Sequence, residues 1–177
     1  MIQFQSNRLY YRTLSDADIT KTYVDWLNDP QINRYLEIRN NVHTLQSCRD
    51  FVTQMNESQD QHLLGIFIKS EEKHIGNIKL GFLNKYHSRA QLSLFIGEIK
   101  YWGKGFATEA IREVTRWGFT SLALAKIEAG CYQENFGSLR AFLKVGYQVE
   151  GFFRSHVIFE ERRMGTFYLG ILPNEVC

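Results

Sequence analysis

Cysteine, proline and net charge are scarce in this chain, and each scarcity excludes something. With only 2 Pro and 13 Gly in 177 residues, against 13 Phe, 9 Tyr and 3 Trp, the chain is neither collagen, coiled coil nor disordered. The three cysteines, Cys48, Cys131 and Cys177, form no CxxC pair. They read as reduced thiols of a cytoplasmic protein rather than a disulfide framework or a zinc site. The five histidines lack HxxH or HExxH spacing, so no metal site is expected. A net charge of +2 is too small for a nucleic-acid-binding surface. No run approaches 18 consecutive apolar residues, which argues against a membrane span. The start, Met1-Ile2-Gln3-Phe4-Gln5, lacks the charged and apolar blocks of a signal peptide.

What is present suits one domain over residues 1–177, long enough to bury a real core. Arg8 to Leu14 reads as a first strand. Ser15-Asp16-Ala17-Asp18 is a capping-box pattern, followed by Ile19, Tyr23, Trp26 and Leu27 on one helical face. Pro30 should break or restart that helix. Thr44 can cap a second helix that buries Cys48, Phe51, Val52 and Met55.

Three strand-like runs follow: His62 to Lys69, Ile75 to Leu83 and Gln91 to Glu98. Short polar breaks between them predict antiparallel hairpins. A helix from about Gly105 to Leu122 comes next, then a strand from Lys126 to Cys131 and a helix from Asn135 to Val145, ended by Gly146. Two final strands span about Tyr147–Phe159 and Met164–Leu172, joined at Glu160-Glu161-Arg162-Arg163. The fold class is therefore α+β: a mixed, mostly antiparallel sheet of about seven strands with helices on both faces.

The stretch Trp102-Gly103-Lys104-Gly105-Phe106-Ala107-Thr108-Glu109-Ala110 leaves a strand and opens a helix. Glycines there let the backbone present several free N–H groups, and the helix N-terminus adds positive partial charge. Such a cradle suits a pyrophosphate, although a tight turn that merely needs glycine has the same appearance. It is neither a Walker loop nor a Rossmann fingerprint.

Residues 103–110 resemble motif A of the GNAT acetyltransferases, Q/R-x-x-G-x-G/A. Asn135, Ser138, Gly146 and Tyr147 resemble its partner motif, and the element order from Arg8 to Leu172 is also that family's. Trp26-Leu27-Asn28-Asp29-Pro30 and Tyr101-Trp102-Gly103-Lys104-Gly105 are similar to the branch that holds the RimJ/RimL ribosomal-protein acetyltransferases and nucleotide-sugar amine acetyltransferases. The resemblance implies acetyl-CoA as co-substrate, held in a gap where the fourth and fifth of the seven strands splay apart. It places the pyrophosphate on Trp102, Gly103, Lys104, Gly105, Phe106, Ala107 and Thr108. The pantetheine arm would lie along Phe95, Ile96 and Gly97 as an added strand, with Asn135, Ser138 and Phe142 on its other side.

Direct attack of an amine on the thioester needs no protein nucleophile, but two proton transfers remain. Gln91 stands where many members carry a basic Glu, and Phe142 where many carry an acidic Tyr. Ser138 is the remaining acid, or else a small residue that admits the cofactor. For the base, Glu98 closes the fourth strand and His87 precedes it; each could instead be an ordinary exposed polar residue. A water chain would need neither. Tyr35, Glu37, Arg39, Asn77, Lys79 and His87 could recognise a hydroxylated, anionic acceptor.

Three functions follow: an N-acetyltransferase acting on a small-molecule amine such as an amino-sugar nucleotide, a protein N-terminal acetyltransferase, or a non-catalytic acyl-CoA-binding module. A homodimer is open to any of them. Neither nucleic acid nor membrane is expected as a partner.

Overall fold

A computed structural model describes residues 2–177. Its strands are β1 (Gln3–Gln5), β2 (Leu9–Thr13), β3 (His62–Ile68), β4 (Lys73–Asn84), β5 (Arg89–Ile96), β6 (Lys126–Tyr132), β7 (Gln148–Phe159) and β8 (Arg162–Ile171). They form one sheet in the order β1-β2-β3-β4-β5-β6-β8-β7. Every neighbouring pair is antiparallel except β5 and β6. The expected seven strands become eight. The addition, β1, has three residues and is held by its register with β2 rather than by any pattern of its own.

The helices are α1 (Lys21–Asn28), α2 (Pro30–Asn33), α3 (Leu45–Glu57), α4 (Phe106–Ser121) and α5 (Phe136–Leu143). Ser15 opens only a 3-10 turn over Asp16–Asp18, and α1 begins one residue after Thr20, whose hydroxyl accepts from Tyr23 N–H. Pro30 restarts the chain as α2, with Asp29 as its cap. Proline fits there because the first helical N–H has no intrahelical partner. Thr44 caps α3, and Cys48 and Val52 are buried on it, but Phe51 is 40% exposed. The expectation that Phe51 belongs to the core is corrected: its ring lines the cleft described below.

Helices cover both faces of the sheet. Under α4 and α5, Ile66, Ile78, Leu92, Ile111, Ile127 and Leu169 form one core. Under α1 and α3, Tyr23, Trp26, Leu27, Val52, Leu63 and Phe67 form the other. None of the helices is long and apolar enough to cross a membrane among the described residues.

The feature that positions the site is where β5 and β6 part. They pair only at Arg89 with Lys126, Ala90 with Ile127 and Gln91 with Glu128. An Arg89–Glu128 ion pair of 2.6 Å marks this closed end. Beyond it β5 stays with β4 as far as Ile96 opposite Gly76, and β6 stays with β8 as far as Tyr132 opposite Thr166. A wedge therefore opens through the sheet. Gly76 permits the β4 side, since a Cβ there would sit 2.2 Å from the Phe95 carbonyl oxygen.

Candidate active site

The wedge opens into a cavity of about 1210 Å³ that passes between β5 and β6. Its walls include Gln91 to Phe95 of β5, Gly130 to Tyr132 of β6, and Asn135, Ser138 and Phe142 around α5. Tyr23, Tyr35, Glu37, Asn77 and Lys79 line its α1/α3 side.

The β5 wall follows from strand alternation. The Gly97 N–H donates to the Ile75 carbonyl at 2.8 Å, so the odd-numbered residues of β5 turn their backbone groups to β4. Leu92, Leu94 and Ile96 then turn theirs to the gap. The indole N–H of Trp102 donates to the Ile96 carbonyl at 2.8 Å, which shows one of these gap-facing groups. Two of the three residues expected to bond an extended ligand are thereby corrected. Phe95 contributes its ring and not its backbone, and Gly97 faces away. Gly97 is also needed for packing, since a Cβ there would meet the Trp26 ring at 2.1 Å.

Past the open end of β5 stands the glycine-rich turn, tied to the strand by the Trp102–Ile96 bond; residues 102–108 themselves lie outside the cavity lining. Gly103 and Gly105 have φ of +72° and +81°, and Gly105 is the N-cap of α4. The first intrahelical bond runs from Glu109 N–H to the Gly105 carbonyl, leaving the N–H groups of Phe106, Ala107 and Thr108 without helical acceptors. Phe106 is 9% exposed and meets Tyr101 edge-on. Lys104 extends toward the Tyr101 ring.

Across the gap, Asn135 caps α5, its Oδ1 accepting from Ser138 N–H at 3.2 Å. Phe142 is buried edge-on against Tyr147. The Cys131 thiol is pushed up by burial, Ser138 and the Leu139 amide acting in the opposite direction. It is therefore a neutral wall group and not a nucleophile.

The α1/α3 side is built from side chains. Asn77 is 3% exposed; its Nδ2 donates to the Tyr23 hydroxyl at 3.0 Å, and its Oδ1 lies 2.8 Å from His74 Nε2. The same His74 atom is 3.0 Å from the Gly76 carbonyl. Two acceptors around one nitrogen identify it as the protonated one. Burial holds His74 below the ordinary histidine range. Burial also lowers the Lys79 ammonium, with Asp60 pulling the other way. Lys79 has no ion-pair partner among the described residues; its ammonium lies over the Phe82 ring at 5.0 Å.

The polar alternation at Tyr35, Glu37 and Arg39 forms a clasp. The Tyr132 hydroxyl donates to Glu37 Oε1. Arg39 donates to that hydroxyl at 2.9 Å and to the Ile158 carbonyl at 3.1 Å. Tyr35 stacks on Phe159. Arg39 does not line the cavity, and one Glu37 oxygen is committed. These residues tie the segment after α2 to β6 and β7 across the cavity roof, so Arg39 is corrected from an acceptor contact to a brace.

His87 and Glu98 do not meet the others. His87 occupies the β4–β5 turn beside the closed end of the wedge, its backbone N–H on Asn84 Oδ1. A strand the length of β5 spans about 24 Å, which separates His87 from the open end. Glu98 caps the 3-10 turn Ile99–Tyr101 and pairs with Lys73 at 3.0 Å. Neither lines the cavity. Sequence reasoning missed Tyr132 and His156, which do. A bulge in β7 between Phe153 and Val157, with Ser155 at φ +54°, turns His156 inward. Its Nδ1 is 2.7 Å from Thr166 Oγ1.

A sheet parted between two parallel strands, with a backbone cradle beyond its open end, makes room for an extended ligand that carries an anion. Residues 8–148 match the acetyltransferase (GNAT) domain family, and the chain belongs to it. It is 29% identical to the uncharacterized N-acetyltransferase p20 of Bacillus licheniformis over 165 residues, 92% of this chain and 90% of that one. It is 32% identical to the spermidine N(1)-acetyltransferase of Escherichia coli over 92 residues, 52% and 49% of the two chains. The spermidine N-acetyltransferase of Vibrio cholerae, solved with CoA and spermine, superposes with a TM-score of 0.85 at 21% identity, covering 95% of this chain and 97% of that one. The protein is thus an N-acetyltransferase with acetyl-CoA as co-substrate, acting on an amine. The non-catalytic binding module is set aside.

Proposed function

We propose that the protein acetylates the primary amine of a small, hydroxylated and anion-bearing molecule, with amino-sugar nucleotides as the best-fitting class. The observation that carries this reading is the charge of the acceptor side. Among the described residues Lys79 has no ion-pair partner there, and Glu37, the lining carboxylate, keeps its charge but has one oxygen turned to Tyr132. A second cation brought within about 6 Å of Lys79 costs roughly 2–3 kcal/mol at an effective dielectric near 20. That opposes a polyamine, although polyamine acetyltransferases are among the relatives. A basic ribosomal-protein N-terminus meets the same obstacle. We retain the RimJ/RimL-type branch for the chain on its two matching segments, and a cytoplasmic setting that suits its three free thiols.

In this reading the diphosphate lies on the amides of Phe106, Ala107 and Thr108. The pantetheine arm pairs with the gap-facing groups of Leu92, Leu94 and Ile96, and Asn135 closes on it from α5. An N–H of β5 faces the thioester oxygen, where negative charge grows as the amine attacks. The amine nitrogen bonds the acetyl carbon, the carbon–sulfur bond breaks, and CoA leaves as a thiolate. Ser138 gives that thiolate its proton and takes back the second proton of the acetylated nitrogen, which leaves a neutral amide. His156 takes the ammonium proton, directly or through one water: with Nδ1–H donated to Thr166, its Nε2 keeps a lone pair for the task. An amine flanked by hydroxyl-bearing carbons is less basic than lysine at ~10.4, which lightens this step.

Thiol release from acetyl-CoA against a panel of amines tests the proposal. An amino-sugar nucleotide should exceed spermidine and an N-terminal peptide by at least about tenfold in kcat/KM. Faster turnover of spermidine or of the peptide refutes the acceptor class. His156→Gln should lower kcat about a hundredfold with CoA affinity unchanged. Undiminished turnover in Ser138→Ala removes the acid from that serine.

A further inference from the structure

A half-buried carboxylate stands in the first turn of the cradle helix, where an incoming diphosphate would repel it. Glu109 has a side chain only 13% exposed, and the loop before β2 covers both its oxygens. Oε1 accepts from the Ser6 hydroxyl and from Arg8 N–H, each at 2.7 Å, and Oε2 pairs with Arg8 Nε at 2.6 Å. Burial would raise this carboxyl, but these bonds hold it below the ordinary range.

The Arg8 guanidinium continues past Glu109 onto the cradle itself. Its Nη1 donates to the Lys104 carbonyl at 3.0 Å, and its Cζ sits 4.1 Å from the Phe106 ring centre. A carbonyl between the two cradle glycines would repel an anion if it turned inward, and this bond holds it back. Nη2 has no hydrogen bond among the described residues and lies 3.5 Å from where a Gly105 Cβ would stand. The side chain as a whole is 42% exposed. One planar group thus neutralises the carboxylate, restrains the carbonyl and still offers a free donor beside the helix N-terminus.

We propose that Arg8, oriented by Glu109, is a binding residue of the diphosphate cradle and turns its free Nη2 toward the bound diphosphate. This rests on the placement of the diphosphate at residues 103–108. It extends the cradle to a residue 96 positions from Lys104 in sequence.

Binding of CoA and of pantetheine, which lacks the diphosphate, separates the two ideas. The wild-type protein should bind CoA more tightly than pantetheine. Arg8→Gln should weaken CoA about ten- to a hundredfold, as expected for loss of charge-assisted hydrogen bonds, and leave pantetheine unchanged. Arg8→Lys keeps the charge without the fork and should fall between. Glu109→Gln removes the carboxylate that orients Arg8 and should cost less than Arg8→Gln. If Arg8→Gln does not fold, the last two variants carry the test. Equal loss for both ligands makes Arg8 a purely structural brace and overturns the proposal, as does unchanged CoA affinity in all variants. Wild-type protein that fails to distinguish CoA from pantetheine overturns the cradle placement as well.

Discussion

The two sides of the cleft are built from different materials. In the proposed reading the donor side presents backbone: amides at the start of α4 and the free edge of β5. The acceptor side presents side chains, many already bonded to one another, as in Tyr23–Asn77–His74 and Glu37–Tyr132–Arg39. Backbone amides recur at fixed spacing whatever the sequence, so a donor site made of them can hold the same cofactor in divergent chains. Side-chain networks alter with single substitutions, which suits the side where acceptors differ.

Substitutions should separate the two sides. The largest effect is expected at Gly105, whose φ of +81° is costly for a β-branched residue. Gly105→Val should weaken CoA binding by about a hundredfold, measured by calorimetry, with the acceptor walls intact; unchanged affinity would place the diphosphate elsewhere. Next comes Lys79→Met, which keeps the stem and removes the charge. It should shift the ratio of anionic to cationic acceptors by about tenfold toward cations, read as relative kcat/KM, and leave CoA affinity alone. A change in CoA affinity there would merge the two sides.

Tyr132→Phe should have a smaller effect, because it loosens the clasp without emptying the wall. Two bonds to charged groups are lost, to Glu37 and from Arg39, each worth about 1.5–3 kcal/mol before relaxation. Denaturant unfolding should register part of that, with acceptor KM rising a few-fold.

The smallest effect is acid sensitivity on the acceptor side. Burial would raise the Asp18 carboxyl, but bonds from Arg12 and Ser15 overcome it and hold the pKa at about 2. Its contribution is complete above the unfolded value of ~3.9 and disappears as pH falls from there toward 2. Asp18→Asn should flatten the fall in Tm over that window and change neither ligand's affinity.

These sides also differed in how openly the sequence displayed them. Residues 103–110 form one contiguous segment whose glycines, small residues and helical pattern act within a few positions. The turn and the start of α4 were legible for that reason. The edge of β5 was only half legible. Alternation tells that every second residue faces one way, but not which set, and that depends on the bond from Gly97 to Ile75 in the neighbouring strand. On the acceptor side, Tyr35, Glu37 and Arg39 looked like free polar groups because their partners lie more than 90 residues away. His87 and Glu98 lie near the cleft in sequence but outside it in space. His156 entered through a bulge that no local pattern announced.

By itself the sequence determined the order of the elements from β2 onward, most of the faces that helices bury and the backbone conformation of the cradle. Steric limits, capping and periodicity act over a few residues and can be read from them. Tertiary structure alone decided which polar groups remain unpaired inside the wedge and that Arg8 reaches the cradle. Those outcomes depend on distant segments excluding water from one another and claiming one another's hydrogen bonds.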